Sequence, residues 1–294
     1  MKKILVTGSE GQLGQELRFL SLINTSEFEF SFTGREQLDI TSFEKVLSFV
    51  DRFKPDAIIN AAAYTAVDKA EQEQDLAFLV NGVGASNLAT AAKKTNSILY
   101  HVSTDFVFDG SQSHPYIESD PVSPLGVYGR SKRAGEEAIF KSSAKFRIIR
   151  TSWLYSTYGK NFVKTIFKLS RERNLTVVFD QIGSPTYARD LANAILSMVT
   201  HDFTNQENFV SSVYHFANHG VASWYDFAVS ISEIGQTGNS IAPILSVEYP
   251  VPAKRPHFSV LNSKKIQNDF NVANRHWREA LIAMMKELEW ENPQ

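Results

Sequence analysis

Hydrophobic and polar positions along this chain switch repeatedly between a strand pattern and a helical one. Ile4–Val6 is a short apolar run, and Leu13, Leu17 and Leu20 then recur at helical spacing. Phe28–Phe32 reads as a second strand. Thr41 and Glu44 stand as a capping box, with Val46, Leu47 and Val50 continuing that helix. Pro55-Asp56 breaks it before a third strand at Ala57–Asn60. The alanine-rich residues 68–94 predict a long helix interrupted near Gly82 and Gly84. Ser97–Val102 and Lys145–Arg150 read as fourth and fifth strands around a helix at Ser131–Phe140. Strands alternating with helices require crossovers, so the expected class is α/β, a Rossmann-type doubly wound parallel sheet covered on both faces.

The second half loses this alternation. Tyr187–Met198, Ser223–Ile234 and Arg275–Leu288 read as helices, the last with Trp277, Leu281, Met284 and Met285 along one face. Four prolines within Pro243–Pro256 predict an extended segment. The expected division is a core over 1–150 and a smaller C-terminal substrate-binding region over 151–294, some segments of which return to the core.

Composition narrows the function. Of 294 residues, 43% are apolar and 21% charged, which excludes collagen, coiled coil and wholesale disorder. Thirty basic against 32 acidic residues give a net charge of -2, so no global positive field exists to collect nucleic acid. The absence of cysteine excludes disulfides, thiolate metal sites and a cysteine nucleophile. No stretch approaches the roughly 20 apolar residues of a membrane span. Lys2-Lys3 precedes only three apolar residues before Thr7 and Gly8, which reads as a first strand rather than a signal peptide. The expected location is the cytoplasm, without membrane or nucleic-acid partners.

Gly8, Gly11 and Gly14 form G-x-x-G-x-x-G directly after the first strand, with Gln12 and Leu13 opening a helix. Gly8 would make the tight turn, Gly11 would admit a pyrophosphate, and Gly14 would let the helix pack on the sheet. The second strand leaves through Thr33-Gly34-Arg35 with no acidic residue at its end, which suits a 2'-phosphate better than a bare ribose diol. NADPH is the expected cofactor, with NADH tolerated. Arg35, Asp39 and Ile40 are the candidates on the adenosine side.

Ser103 and Thr104 close the fourth strand, and Tyr128 and Lys132 follow 24 residues after Thr104, one helical turn apart. That set suits carbonyl reduction. A tyrosine near pKa 10 becomes a usable proton donor when a neighbouring ammonium stabilises its phenolate. Thr104 would hold the substrate oxygen, Tyr128 would protonate it, and Lys132 would tune Tyr128 and hold the nicotinamide ribose.

Beyond this, the chain resembles the dTDP-4-dehydrorhamnose reductase family of the extended short-chain dehydrogenases/reductases. The resemblance runs through Gly8–Gly14, Asn60–Glu71, Ser103–Gly110, Tyr128–Lys132, Arg150–Tyr155, Asp180–Thr186 and Arg255–Leu261. It implies reduction of the C4 ketone of dTDP-6-deoxy-L-lyxo-4-hexulose to dTDP-L-rhamnose by a monomer or homodimer. It places Ala62, Ala63 and Tyr64 along the cofactor, and Thr65 where cofactor and sugar meet. Val67, Ser103, Thr104, Phe106, Tyr128 and Trp153 would border the sugar, and Arg255 the nucleotide phosphates. Phe106 departs from the tyrosine common in the family, which removes one sugar-side hydroxyl. Family members that bind Mg2+ direct attention to Glu16, Asp190 and Glu289 or Glu291, although hydride transfer requires no metal. Other readings are a nucleotide-sugar epimerase or dehydratase, and a non-catalytic subunit like the methionine adenosyltransferase beta subunit. The absence of an Asp-Glu pair beside Thr104 speaks against a dehydratase. The intact Thr104, Tyr128 and Lys132 speak against a non-catalytic role.

Overall fold

The computed structural model describes residues 1–23 and 28–291, with side chains described as far as Leu288. Six parallel strands form the central sheet: β1 (Lys2–Thr7), β2 (Phe28–Thr33), β3 (Ala57–Asn60), β4 (Ile98–Thr104), β5 (Lys145–Thr151) and β6 (Ser212–His215). Their order is β6-β5-β4-β3-β1-β2. The chain therefore reverses direction across the sheet between β1 and β3, where a crevice opens at the strands' C-terminal ends.

The apolar runs alternate strictly between faces. Ile4, Val6, Ala57, Ile59, Tyr100 and Ile149 pack on one side, under α1 (Gln12–Ile23) and a later helix, Ala188–Thr204. Leu5, Ile58, Leu99 and Ile148 pack on the other, under α2 (Phe43–Phe53), Gly84–Thr95 and Val127–Lys141. Both faces are covered, which is why these strands read as continuous hydrophobic runs rather than alternating ones.

The alanine-rich stretch is not one helix. It divides into α3 (Val67–Ala70), α4 (Gln74–Phe78), a π-helical turn at Leu79–Val83 and α5 (Gly84–Thr95). The capping box expected at Thr41 is also corrected. Ser42 is the N-cap of α2 and accepts from Lys45 N, whereas the Thr41 hydroxyl donates to Asp39 Oδ1 at 2.7 Å. A reciprocal capping box does occur at Ser223 and Asp226.

The remaining helices are α6 (Val127–Lys141), α7 (Phe162–Glu172), α8 (Ala188–Thr204), α9 (Trp224–Ile234), α10 (Lys264–Phe270) and α11 (Trp277–Glu291). α8, α10 and β6 all join the cluster on the α1 side of the sheet. Helices α7, α9 and α11 form a separate cluster around Phe227, Leu281 and Met284. Between Pro243 and Pro256 the extended reading is interrupted by a 3-10 turn at Ser246–Glu248. Among the described residues no helix is long and apolar enough to cross a membrane.

A buried ion pair fastens α8 to the sheet. Arg147 grips Asp202 through two bonds, Nη2 to Oδ1 at 2.6 Å and Nε to Oδ2 at 2.9 Å, and the Tyr100 hydroxyl donates to Oδ2 at 2.9 Å. Removing one partner of such a pair strands the other in a low-dielectric interior. Asp202→Ala is expected to destabilise the protein by about 3–5 kcal/mol in urea denaturation.

Candidate active site

A cleft of about 620 Å³ lies at the C-terminal edge of the sheet. Gly11, Gln12 and Leu13 line it from the start of α1, Ser103 and Thr104 from the end of β4, and Tyr128 and Lys132 from α6. Ala63, Thr65, Val67, Phe106, Trp153 and Arg255 complete the predicted residues within it. Residues read from separate parts of the sequence thus share one cavity.

The glycine loop is built by steric exclusion. Gly8 has φ 71°, and a Cβ there would lie 2.5 Å from Ala62 N. A Cβ on Gly14 would lie 2.4 Å from the Gly8 carbonyl oxygen. β1 and β3 therefore meet backbone to backbone, and the first turn of α1 faces the cleft with its unpaired N–H groups. These residues fit the pyrophosphate of a dinucleotide. Ala62 and Tyr64 flank the cleft without lining it. The Tyr64 hydroxyl donates to Glu73 Oε2 at 2.7 Å, which pushes its pKa up to about 12. Farther out, Arg35 is exposed, and Asp39 is held below the usual carboxylate range by its bonds from Thr41. Ile40 is buried in the core, and a Cβ on Gly84 would lie 2.7 Å from its Cδ1.

α6 carries Tyr128 and Lys132 and is held at several points. Its N-cap is Gly126, which supplies no side chain, and Val127 N donates instead to Glu71 Oε1 at 2.7 Å. Gly135 lets the helix lie against the π turn, since a Cβ there would be 2.2 Å from Asn81 O. Glu136 is fully buried and accepts from Ser103 Oγ at 2.7 Å, Arg150 Nε at 2.9 Å and Nη2 at 2.8 Å, and Arg133 Nη1 at 3.0 Å. Burial would raise this carboxyl, but the Arg150 bonds and charge hold it below its ordinary value. The Ser103 hydroxyl is thereby committed to Glu136 rather than to the cleft.

Burial raises Tyr128 to about 12, partly offset by its hydrogen bond with Thr104 and reinforced by the charge of Asp105. Burial also lowers Lys132 to about 8, against the opposing effect of Glu136. The Thr104 hydroxyl donates to Asp105 Oδ1 at 3.0 Å and accepts from Phe106 N at 3.2 Å. Asp105 is itself raised to about 6 by burial, against the opposing hydrogen bonds of Ser259 and Thr104. The Phe106 ring stands edge-on to Tyr128 at 5.5 Å.

The outer end of the cleft is aromatic. Trp153 adopts φ 47°, a left-handed conformation unusual for a bulky residue, and stacks on Trp224 with centroids 3.6 Å apart. Gly183 makes room for it, because a Cβ there would touch the indole at 2.6 Å. Arg255 donates through Nη2 to Asp68 Oδ2 at 2.9 Å, while its buried Nε has no partner. An unsatisfied guanidinium donor on a residue that lines the cleft suits an anionic ligand.

Three contributors escaped the sequence reading. Asn81 accepts from Tyr64 N at 2.8 Å and donates to Ser131 Oγ at 2.9 Å, tying the loop after β3 to α6. Its signal was the glycine break beside it, since π turns concentrate at functional sites. Trp224 lay inside the predicted helix Ser223–Ile234 and Asp105 inside the Ser103–Gly110 stretch, and nothing in their spacing set either apart.

Magnesium does not fit the residues described. Glu16 is already bonded to Arg189 and to Ser156, whose hydroxyl donates at 2.6 Å. Asp190 is gripped by Arg275 through two bonds at 2.8 Å. The two carboxylates are thus neutralised by separate arginines, and no group of three His, Cys, Asp or Glu able to hold a metal occurs among the described residues. The side chains of Glu289 and Glu291 lie outside the described residues.

Comparison with known proteins agrees across the whole chain. The family model for the RmlD substrate binding domain matches residues 1–290. A dTDP-4-dehydrorhamnose reductase from Aggregatibacter actinomycetemcomitans is 43% identical, covering 96% of this chain and 97% of its own length. The crystal structure of a dTDP-4-dehydrorhamnose reductase from Clostridium acetobutylicum superposes with a TM-score of 0.91 at 38% identity, over 98% of this chain and 99% of its own. The Bacillus anthracis enzyme in complex with NADP does so with a TM-score of 0.91 at 36% identity, over 98% and 100%.

Burying Lys132 costs stability with a definite pH signature. Its folded pKa lies below the ordinary value, so the unfolded chain holds more protons between about pH 8 and pH 10.5. Stability therefore rises with pH through that window as the penalty is relieved. Lys132→Met is expected to stabilise the cofactor-free protein by about 1–3 kcal/mol at neutral pH. Denaturation across that window should show the advantage shrinking as pH rises.

Proposed function

The chain belongs to the RmlD substrate binding domain family, and on that premise we propose that it is an NADPH-dependent reductase of dTDP-4-dehydrorhamnose (dTDP-6-deoxy-L-lyxo-4-hexulose), forming dTDP-L-rhamnose. The observation that carries this reading is the convergence of Thr104, Tyr128 and Lys132 with the start of α1 in one cleft. NADPH, when bound, supplies the hydride that reduces C4, and NADH would serve the same chemistry. Gly11, Gln12 and Leu13 would hold the pyrophosphate at the helix start, and Lys132 the nicotinamide ribose. Arg35 would meet the 2'-phosphate at the far end.

Thr104 positions the C4 oxygen by turning its hydroxyl from Asp105 to the substrate. Tyr128 then gives its proton to that oxygen as the carbonyl becomes an alkoxide. Without cofactor, burial raises this phenol to about 12, the opposite of the tuning expected from Lys132, so it is protonated at neutral pH and the cofactor's positive ring would supply the compensating charge. The Lys132 ammonium stabilises the phenolate left behind. Trp153 and Val67 border the sugar, and the free Nε of Arg255 would meet a diphosphate oxygen. The complete proton-donor set favours this reading over a non-catalytic regulatory subunit. The chain would act as a monomer or homodimer.

Tyr128→Phe tests the assignment. Expected is a fall in kcat of roughly 10²–10⁴-fold with dTDP-4-dehydrorhamnose, followed as NADPH oxidation, while NADPH binding is retained. A parent enzyme that binds NADPH yet leaves the confirmed ketosugar unreduced would sink the assignment.

A further inference from the structure

A polar rung crosses the sheet where only apolar side chains are expected. Thr7 of β1, Asn60 of β3 and His101 of β4 are register partners on adjacent strands, and each is about 1% exposed. Buried polar groups on a doubly covered sheet must satisfy one another. Here they do so in only one arrangement.

Asn60 Oδ1 accepts from the backbone N of Ala62 at 3.1 Å and from the Thr7 hydroxyl at 2.8 Å. A backbone N–H can only donate, so the oxygen of the amide must face Ala62. The amide nitrogen therefore faces His101, with Asn60 Nδ2 at 2.9 Å from Nδ1. Since Nδ2 is a donor, Nδ1 must be the unprotonated acceptor. The neutral imidazole then carries its proton on Nε2.

That Nε2 lies 3.5 Å from Lys132 Nζ, whereas Nζ donates to the Val102 carbonyl oxygen at 2.7 Å. An Nε2–H cannot accept from an ammonium. The long separation is what two facing donors adopt. We propose that His101 is a positioning residue for the reduction, locked by Thr7 and Asn60 as the Nε2–H tautomer so that the remaining N–H groups of Lys132 point into the cleft. The loop that Ala62 opens is the one packed against Gly8, so the lock is anchored on the glycine turn itself. The lock also favours the neutral amine over the ammonium, because only the amine accepts from Nε2–H.

The charged and titratable groups around Lys132 are few. Glu136 lies on its own helix and is occupied by Arg150 of β5, by Arg133 and by Ser103. His101 faces it from β4. Tyr128 from α6 and Asp105 from the turn after β4 share the cleft.

The kinetic part of this inference rests on the reductase reading, but the tautomer does not. Long-range proton–nitrogen spectra of 15N-histidine-labelled cofactor-free protein, assigned with His101→Asn, report it directly. Expected is an unprotonated Nδ1 and a protonated Nε2 throughout the neutral range; a protonated Nδ1 overturns the inference. His101→Asn keeps an acceptor for Asn60 and removes Nε2–H without changing charge. Asn60→Asp reverses the tautomer. Both are expected to move the basic limb of the kcat profile up by about one pH unit. Both should lower plateau kcat on the order of tenfold, with KM for the ketosugar nearly unchanged. A His101→Asn enzyme that folds and keeps its basic limb in place also overturns the inference. A parent that reduces no ketosugar defeats the reductase reading alone, and the spectra still decide the tautomer.

Discussion

The carboxylate of Glu136 is the fixed point of the catalytic edge. It sits inside α6, one turn beyond Lys132, and is bonded at once by Arg150 of β5 and Ser103 of β4. A buried charge of this kind is tolerated only when every lone pair is used. Meeting that demand fixes the rotation of α6 about its own axis. Lys132 and Tyr128, one and two turns earlier, consequently face the end of β4 and the start of α1. The Glu71 cap and the Gly135 contact set where the helix begins and how closely it approaches.

Around that point the molecule spends stability on function. Lys132 and Asp105 are buried with pKa values displaced toward neutrality. Trp153 holds a left-handed backbone, and Arg255 an unsatisfied donor. Each would be a defect in a purely structural core. The offsets lie elsewhere, in two fully covered sheet faces and in the Arg147–Asp202 clamp. Thr151 and Arg255, two of the buried side chains with an unpartnered polar atom, line the cleft itself.

Much of this was legible in the residues. The first five strands and the helices around them were readable because a buried parallel sheet imposes short apolar runs, which propensity and tertiary packing both favour. The sixth strand was not: Ser212–His215 is short, polar at one end, and paired only at one edge with β5. Helix α7 was masked by lysines and arginines that cover its outer face, although Val163 and Ile166 are buried at helical spacing. The reacting set was legible because its spacing is local. Asn81, Trp224 and the Thr7–Asn60–His101 rung were not, because each acquires its meaning from residues distant in sequence. The surroundings of Glu16 and Asp190 were likewise hidden, since both look like free surface carboxylates until folding delivers Arg189 and Arg275.

Phe106 shows how one departure from the family pattern is absorbed. Its ring packs edge to face with that of Tyr128, a geometry in which a positive ring edge meets a π cloud. A hydroxyl at this position would compete for the polar atoms near the sugar. Its loss leaves Thr104 as the hydrogen-bonding side chain on Tyr128. It also keeps that wall of the cleft apolar, where the attraction between an ammonium and a forming phenolate is screened least. On the proposed reading, Phe106 leaves the environment of Tyr128 intact while offering the sugar no hydroxyl. On the proposed reading, chemistry and sugar recognition are separable on this edge of the sheet: α6 with its buried partners would serve the first, and the aromatic wall and Arg255 the second.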